Sequence, residues 1–223
     1  MVAAKDLLTI AIPKGTLYKE TVKLMGLAGL DIEFMKDPGR QLLLQSEKEA
    51  VRFIICRPTD IPTYVEYGAA DLGLAGKDTI MEQHKDVYEL LDLKYGGCRF
   101  VVAVPKGKEE QELQFWNQTR VATKFPRIAE EFFRHQGMQM EIVKLHGNIE
   151  LAPIVGLAEM IVDLVSTGRT LRENNLIPVA DVLSSTTRLI ANRVSHRLKS
   201  DRINPLVERM RQVVEEGTLN GAG

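Results

Sequence analysis

Short apolar runs of strand length alternate with segments of helical period along most of the chain. "LLTIAI" (7–12) precedes a helical pattern over Thr16–Ala28, "VRFIIC" (51–56) one over Asp60–Tyr67, and "ADLGLAG" (70–76) one over Lys77–Gln83. Beyond these, "RFVVAVP" (99–105) stands alone. "RVATKF" (120–125) leads to Arg127–His135, "MEIVKL" (140–145) to Ile149–Val155, and "EMIVDL" (159–164) to Thr170–Asn174. This alternation predicts an α/β fold with mainly parallel sheets, and the near-continuous apolar strands predict sheets covered on both faces. "IPVADVLSS" and "TRLIANR" read as two further strands. In the last helix Ile203, Leu206, Val207, Met210, Val213 and Val214 fall on one face, which is expected to pack on its own lobe rather than form a subunit interface.

"TIAIPKG" (9–15) and "VVAVPKG" (101–107) echo each other and point to two similar lobes. The glycine pair in "DLKYGGCRF" marks a plausible crossover, so the lobe boundary is placed near residue 93. The closing "LNGAG" reads as a frayed end.

Composition narrows the class without naming a chemistry. With 44% apolar and 26% charged residues in 223, the chain is an ordinary globular one, large enough for one large or two small domains. Twenty-nine basic and 30 acidic side chains nearly cancel, leaving −1, which argues against a general binder of nucleic acid or membrane surfaces. "MVAAKDLLTIAI" lacks the pattern of an export leader, and no window approaches the roughly 18 apolar residues of a membrane span, so a cytoplasmic location is expected. Cys56 and Cys98 have neither CxxC spacing nor a disulfide pattern, and the expectation for both is a packed thiol.

Among the motifs, "DLGLAGKDT" (71–79) resembles a phosphate loop at first sight. A Walker A loop would need glycine at Asp71 and serine or threonine at Asp78, and aspartates there repel phosphate, so a plain strand-turn-helix is expected. HExxH, GxSxG and His/Cys clusters at metal-ligand spacing do not occur. His84, His135 and His196 read as surface or structural; His146, in "KLHGNIELAP" with Gly147 and a candidate helix N-cap at Asn148, lies in a loop that could face a ligand.

"MIVDLVSTGRTL" (160–171) carries the strongest chemical signal. If the strand ends at Asp163 or Leu164, then Ser166, Thr167 and Gly168 form a turn into a helix entered by Thr170. Successive backbone N–H groups, short hydroxyls and a glycine that permits close approach make a cradle for a phosphate monoester. A carboxylate just before it suits a sugar diol, since it accepts two hydroxyl hydrogen bonds. Phosphate beside ribose is the functional reading, and an ordinary capped turn is the alternative.

From Glu150 to Leu171, "ELAPIVGLAEMIVDLVSTGRTL" resembles the signature of the ATP phosphoribosyltransferase family, which opens histidine biosynthesis. Glu150, Gly156, Ala158, Ile161, Asp163, Thr167-Gly168 and Thr170-Leu171 match it, and the resemblance extends to "IAIPKGTL", "RPTDIPTYVEYGAADLGLAGKD", "LKYGGCRFVVAVP" and "VATKFP". The resemblance implies a two-lobed fold like that of type II periplasmic binding proteins, with the active site in the interlobe cleft. One lobe would comprise 1–92 plus 182–223 and the other 93–181, the latter carrying the phosphoribosyl loop. The length resembles the short form of the family, which implies a separate regulatory subunit resembling histidyl-tRNA synthetase, in a hetero-octamer of four catalytic and four regulatory chains.

The implied reaction is attack of adenine N1 of ATP on C1 of 5-phosphoribosyl 1-diphosphate, giving N1-(5-phosphoribosyl)-ATP and pyrophosphate with inversion. Adenine N1 has a lone pair and no proton, so alignment and charge stabilisation matter more than a strong base. Ser166, Thr167, Gly168, Arg169 and Thr170 are assigned to the 5-phosphate, and Glu150 and Asp163 to ribose hydroxyls. Arg57, whose planar fork suits diphosphate oxygens, is assigned to the leaving group, with Lys14 as a second catalytic candidate and Arg40 as a possible phosphate contact. Asp71 and Lys77 are placed along the cleft without roles. Mg²⁺ is expected on the diphosphate, held by substrate oxygens and water rather than by protein side chains. The competing readings are a non-catalytic small-molecule receptor of the same bilobal fold, and another phosphoribosyltransferase; loops of the latter usually carry two adjacent acids, whereas Asp163 is followed by Leu164.

Overall fold

The computed structural model describes residues 7–37, 39–165 and 168–217. In chain order the elements are β1 (Leu8–Pro13), α1 (Tyr18–Leu27), β2 (Leu43–Ser46), β3 (Val51–Cys56), α2 (Ile61–Glu66), β4 (Leu72–Gly76), α3 (Lys77–Gln83) and β5 (Tyr88–Asp92). Then come β6 (Cys98–Pro105), β7 (Arg120–Thr123), α4 (Pro126–His135), β8 (Glu141–Lys144), α5 (Leu151–Ile154), β9 (Met160–Val165), α6 (Arg169–Glu173) and β10 (Leu176–Ser185). The chain returns through β11 (Thr187–Ala191), α7 (Arg193–Leu198) and α8 (Ser200–Glu215).

Two compact units result, one running to Gly96 and resuming at Thr186, the other spanning Gly97–Ser185. Both crossings fall a few residues later than the 92/93 and 181/182 boundaries expected from sequence. Leu93 and Tyr95 explain the first, because both are buried in the core of the first unit, where the Tyr95 hydroxyl meets Thr21 Oγ1 at 2.7 Å. The second follows from β10, which stays paired with β6 up to Ser185 opposite Cys98.

The first unit is built on a six-stranded sheet in the order β2-β3-β1-β4-β11-β5. Every residue of β1 is buried, as a central strand covered on both faces requires, and it pairs in parallel with β3 from Leu8↔Val51 to Pro13↔Cys56. Beside it, α1 buries Val22, Leu24 and Met25, and α8 buries Ile203, Leu206, Met210 and Val213, with Val207 and Val214 partly covered. The apolar face of the last helix therefore completes the core of its own unit. The return is tied by Asn192, whose side chain accepts from the Val194 and Ser195 N–H groups and donates to Val65 O. It is tied again by Lys199, whose ammonium bonds Asp71 at 2.7 Å and Leu7 O at 2.7 Å.

The second unit holds a five-stranded sheet in the order β10-β6-β9-β7-β8. Here β9-β7-β8 run parallel, while β6 is antiparallel to both β9 and β10. Both sheets are thus mixed, not mainly parallel: each has a parallel trio (β3-β1-β4 or β9-β7-β8) extended by antiparallel strands. The two Pro-Lys-Gly echoes share a local turn, with φ of 95° at Gly15 and 91° at Gly107. Their strands differ in role, since β1 has parallel neighbours and β6 antiparallel ones, so the echo is not a structural repeat. No helix among the described residues is long and apolar enough to cross a membrane.

Candidate active site

In an open α/β sheet, ligands bind beyond the carboxyl ends of the parallel strands, where loops to the following helices leave a crevice. Each unit gathers most of its residues singled out from sequence at that end of its own trio, Asp71 excepted.

In the second unit β9 carries Asp163 near its end and runs to Val165, and Gly168 opens α6. The strand ends slightly later than the sequence pattern indicated. Val165 at the end of β9 and Leu171 in α6 are buried in one apolar cluster with Ile149 and Ala152, which flank Glu150. That shared cluster holds the end of β9, the start of α6 and the Glu150 segment together. Glu150, Asp163, Gly168, Arg169 and Thr170 consequently line a single concavity, together with Leu164, Val165 and Leu171. Ser166 and Thr167, assigned from sequence to the same phosphate, lie outside the described residues. Gly168 has φ of 70°, in the left-handed region that favours glycine, and a Cβ there would stand 3.1 Å from Arg172 Nη1.

Asp163 is half-buried and accepts a hydrogen bond from the Leu164 N–H at 2.9 Å. Burial holds its carboxyl above the ordinary range and the charge of Glu150 pushes the same way, while the Leu164 N–H and the charge of Lys124 oppose. Arg169 is exposed, and its guanidinium Nε donates to Glu173 at 2.7 Å, one helical turn on. Asn148 does not cap α5: it has φ of 48°, its carbonyl accepts from Leu151 N, and Glu150 is the residue preceding the helix. His146 is exposed at the end of β8.

In the first unit, Lys14 follows β1 and Arg57 follows β3, on adjacent parallel strands whose last pair is Pro13↔Cys56. The Lys14 N–H donates to Cys56 O at 2.8 Å, which puts the two residues at the carboxyl ends of neighbouring strands. Arg57 is exposed and extended, with ψ of 139°, before the Pro58–Asp60 turn. Lys14 and Arg40 line one open recess of about 560 Å³ with Tyr18, Lys19, Gln41 and Leu42. Arg57 is not among the residues of that recess. Among the described residues Lys14, Lys19, Arg40 and Arg57 have no ion-pair partner, and the described lining contains no acid, so the recess suits an anion. Beside them, the Cys56 thiol is pushed up to about 11 by burial and by Asp60, which makes it inert at neutral pH.

Two cleft residues suggested by sequence have other roles. Asp71 lies at the opposite, N-terminal end of β4, buried and bound to Lys199 and to the Thr9 N–H at 2.8 Å. Lys77 lies at the carboxyl end but pairs with Glu89 at 2.7 Å. Sequence reasoning missed Tyr18, Gln41 and Lys124. Lys124 was legible only as the residue closing a strand, and its relation to Asp163 needs the register of the sheet.

A family model described as "HisG: ATP phosphoribosyltransferase" matches residues 57–212. A relative named ATP phosphoribosyltransferase from Desulfitobacterium hafniense is 56% identical over 218 residues, covering 95% of this chain and 98% of that protein. One of the same name from Syntrophomonas wolfei is 56% identical over 213 residues, covering 96% and 98%. Among solved structures, the ATP phosphoribosyl transferase (HisG:HisZ) complex from Thermotoga maritima is similar with a TM-score of 0.78 and 32% identity, covering 95% of this chain and 99% of that one. A substrate-binding protein of an amino-acid ABC transporter shares the fold with a TM-score of 0.61 at 11% identity. With a family model spanning most of its length and relatives of this identity matched nearly end to end, the chain belongs to the ATP phosphoribosyltransferase family.

Proposed function

We propose that the chain transfers a 5-phosphoribosyl group from 5-phosphoribosyl 1-diphosphate to adenine N1 of ATP, releasing pyrophosphate, as the first step of histidine biosynthesis. The observation that carries this reading is the concavity beyond β9, where two carboxylates stand beside a glycine turn. Carboxylates bind hydroxyls and repel phosphate, whereas backbone N–H groups of a turn bind phosphate, so the pair fits a sugar phosphate and neither ligand half alone.

In this reading Gly168, Arg169 and Thr170 hold the 5-phosphate through backbone N–H groups, with Ser166 and Thr167 completing the cradle. Asp163 and Glu150 accept from the ribose hydroxyls, and their charge favours the cation developing at C1. Arg57 and Lys14 stabilise the departing diphosphate, and Arg40 meets further phosphate charge. Mg²⁺ enters as part of the donor, on its diphosphate oxygens, with no side-chain ligand assigned. Among the described residues no group of three or more His, Cys, Asp or Glu side chains could hold a metal ion. Chelating Mg²⁺ is expected to abolish turnover without lowering the melting temperature of the free protein, and a large fall in melting temperature would point to a structural ion instead.

Gly168→Ala tests the cradle. An L-residue at a left-handed φ costs about 1–2 kcal/mol, and the added methyl would crowd the Arg172 guanidinium at 3.1 Å. The expected result is a melting temperature lower by a few degrees, with a KM for the ribosyl donor raised about tenfold or more. A donor KM equal to that of the parent would remove the turn from the donor site.

A regulatory subunit is proposed as partner, in a hetero-octamer of four catalytic and four regulatory chains. The support is the similar Thermotoga maritima chain, whose structure is a HisG:HisZ complex. The cytoplasm, where ATP is abundant, is the proposed compartment. Acceptor choice separates this reading from other phosphoribosyltransferases: pyrophosphate release is expected with ATP and not with free purine bases or orotate. Release with a free base and none with ATP would overturn it.

A further inference from the structure

Lys124 has no assigned role, yet the register of the sheet puts it beside Asp163, one of the residues lining the concavity. β7 is the central strand of the parallel trio, paired with β9 through Thr123↔Val162 and with β8 through Thr123↔Lys144. The next residue, Lys124, therefore emerges beside Asp163 on one flank, and on the other beside the segment from Leu145 that leads to Glu150. The Leu145 N–H donates to Thr123 O at 2.9 Å, which keeps that second flank in register.

The backbone of this lysine is held on both sides. Thr123 is fully buried, and its Oγ1 accepts from the Phe125 N–H at 2.9 Å, closing the turn. The Phe125 ring stands edge-on to Phe100 at 4.7 Å between centroids, and Phe100 pairs with Leu164 of β9. Between these anchors the Lys124 side chain is exposed, and among the described residues it has no ion-pair partner within 4 Å. A lysine on an anchored backbone, near enough to Asp163 for its charge to act there but without an ion pair to it, is set to receive an anion brought by the ligand.

Which anion follows from the order across the sheet. The glycine turn leads into α6, which packs on β10, so the 5-phosphate cradle lies on the β10 side of Asp163. Lys124 lies on the opposite, β7 side. A ribose whose diol rests on Asp163 presents C5 and C1 toward opposite sides. With C5 at the cradle, C1 and its diphosphate extend toward β7.

Resting on the donor-site reading above, we propose that Lys124 contacts the 1-diphosphate of the ribosyl donor and so fixes the orientation of the donor along the strand ends. The contact is one of binding and placement: no bond is made or broken at the lysine.

The test is calorimetric titration of the parent, Lys124→Met and Lys124→Arg proteins, in Mg²⁺, with three probes: 5-phosphoribosyl 1-diphosphate, inorganic pyrophosphate and ribose 5-phosphate. Lys124→Met is expected to weaken the first two about tenfold or more and to leave ribose 5-phosphate within twofold, with Lys124→Arg restoring most of the loss. Equal weakening of ribose 5-phosphate would overturn the proposal, since the lysine would then serve the 5-phosphate or the fold; unchanged binding of all three would overturn it as well. Failure of the parent protein to bind the donor or ribose 5-phosphate would be different, because it would overturn the donor-site reading itself and this proposal with it.

Discussion

Arg57→Ala is expected to lower turnover by about 10²–10³-fold, the usual cost of removing one preorganised group that stabilises charge in a transition state. Departure of the diphosphate concentrates negative charge on its bridging side as the C1–O bond breaks, so a guanidinium there acts more strongly on the transition state than on the bound donor. The donor KM should change less than kcat. Folding is expected to be unaffected, since the Arg57 side chain is exposed and bears no ion pair among the described residues. Its backbone conformation is extended, which alanine adopts without strain. Arg57→Lys should recover only part of the loss, because an ammonium keeps the charge and loses the fork. Steady-state kinetics with a thermal melt decide the matter: parental turnover in Arg57→Ala would remove the residue from the mechanism.

The second large effect is expected at Asp163, where function and stability pull in opposite directions. A carboxylate that accepts two ribose hydroxyls makes charge-assisted hydrogen bonds, each worth about 1.5–3 kcal/mol. Asp163→Asn keeps the shape and removes the charge, so the donor KM should rise roughly 10–100-fold, as loss of one such bond implies. Stability moves the other way. Burial holds this carboxyl above its ordinary value, with Glu150 adding to the effect, so the folded chain binds the proton more tightly than the unfolded chain does. A raised carboxyl stabilises the fold at low pH, and that contribution is lost as pH rises through the folded pKa. At pH 7 the parent therefore carries the cost of an ionised buried acid and the asparagine variant does not. Asp163→Asn is expected to melt at a higher temperature at pH 7, with the advantage shrinking toward pH 4. Unchanged donor kinetics, or a lower melting temperature at pH 7, would contradict this account.

The strands that build the site were legible in the chain because they are covered on both faces. β1, β3 and β9 are buried along most of their length, and their continuous apolar runs mark them. The missed strands are edge strands: β2 alternates exposed and buried positions over only four residues, and β5 is exposed or half-buried throughout, so neither forms an apolar run. Strand direction was not legible at all. Periodicity is the same for parallel and antiparallel strands, and only pairing reveals that β6, β10, β2 and β11 run against their neighbours.

Within the site, Glu150, Asp163 and the glycine turn were readable because each residue type carries its chemistry in sequence. Lys14 and Arg40 were readable only as candidates, since a lone cation after a strand looks like a solvated turn until a shared recess brings the two together. Asp71 misled for the converse reason: an acid at a strand boundary gives no sign of which end of the sheet it occupies, and its partner Lys199 is 128 residues away.

The most direct test of the central claim is product formation. The purified chain is mixed with ATP, 5-phosphoribosyl 1-diphosphate and Mg²⁺, with and without a candidate regulatory subunit, and the nucleotide product is identified by mass and by the site of attachment on adenine. The account predicts N1-(5-phosphoribosyl)-ATP in equal amount with pyrophosphate in at least one of the two mixtures. Absence of that product from both, with donor and ATP recovered intact, would contradict it.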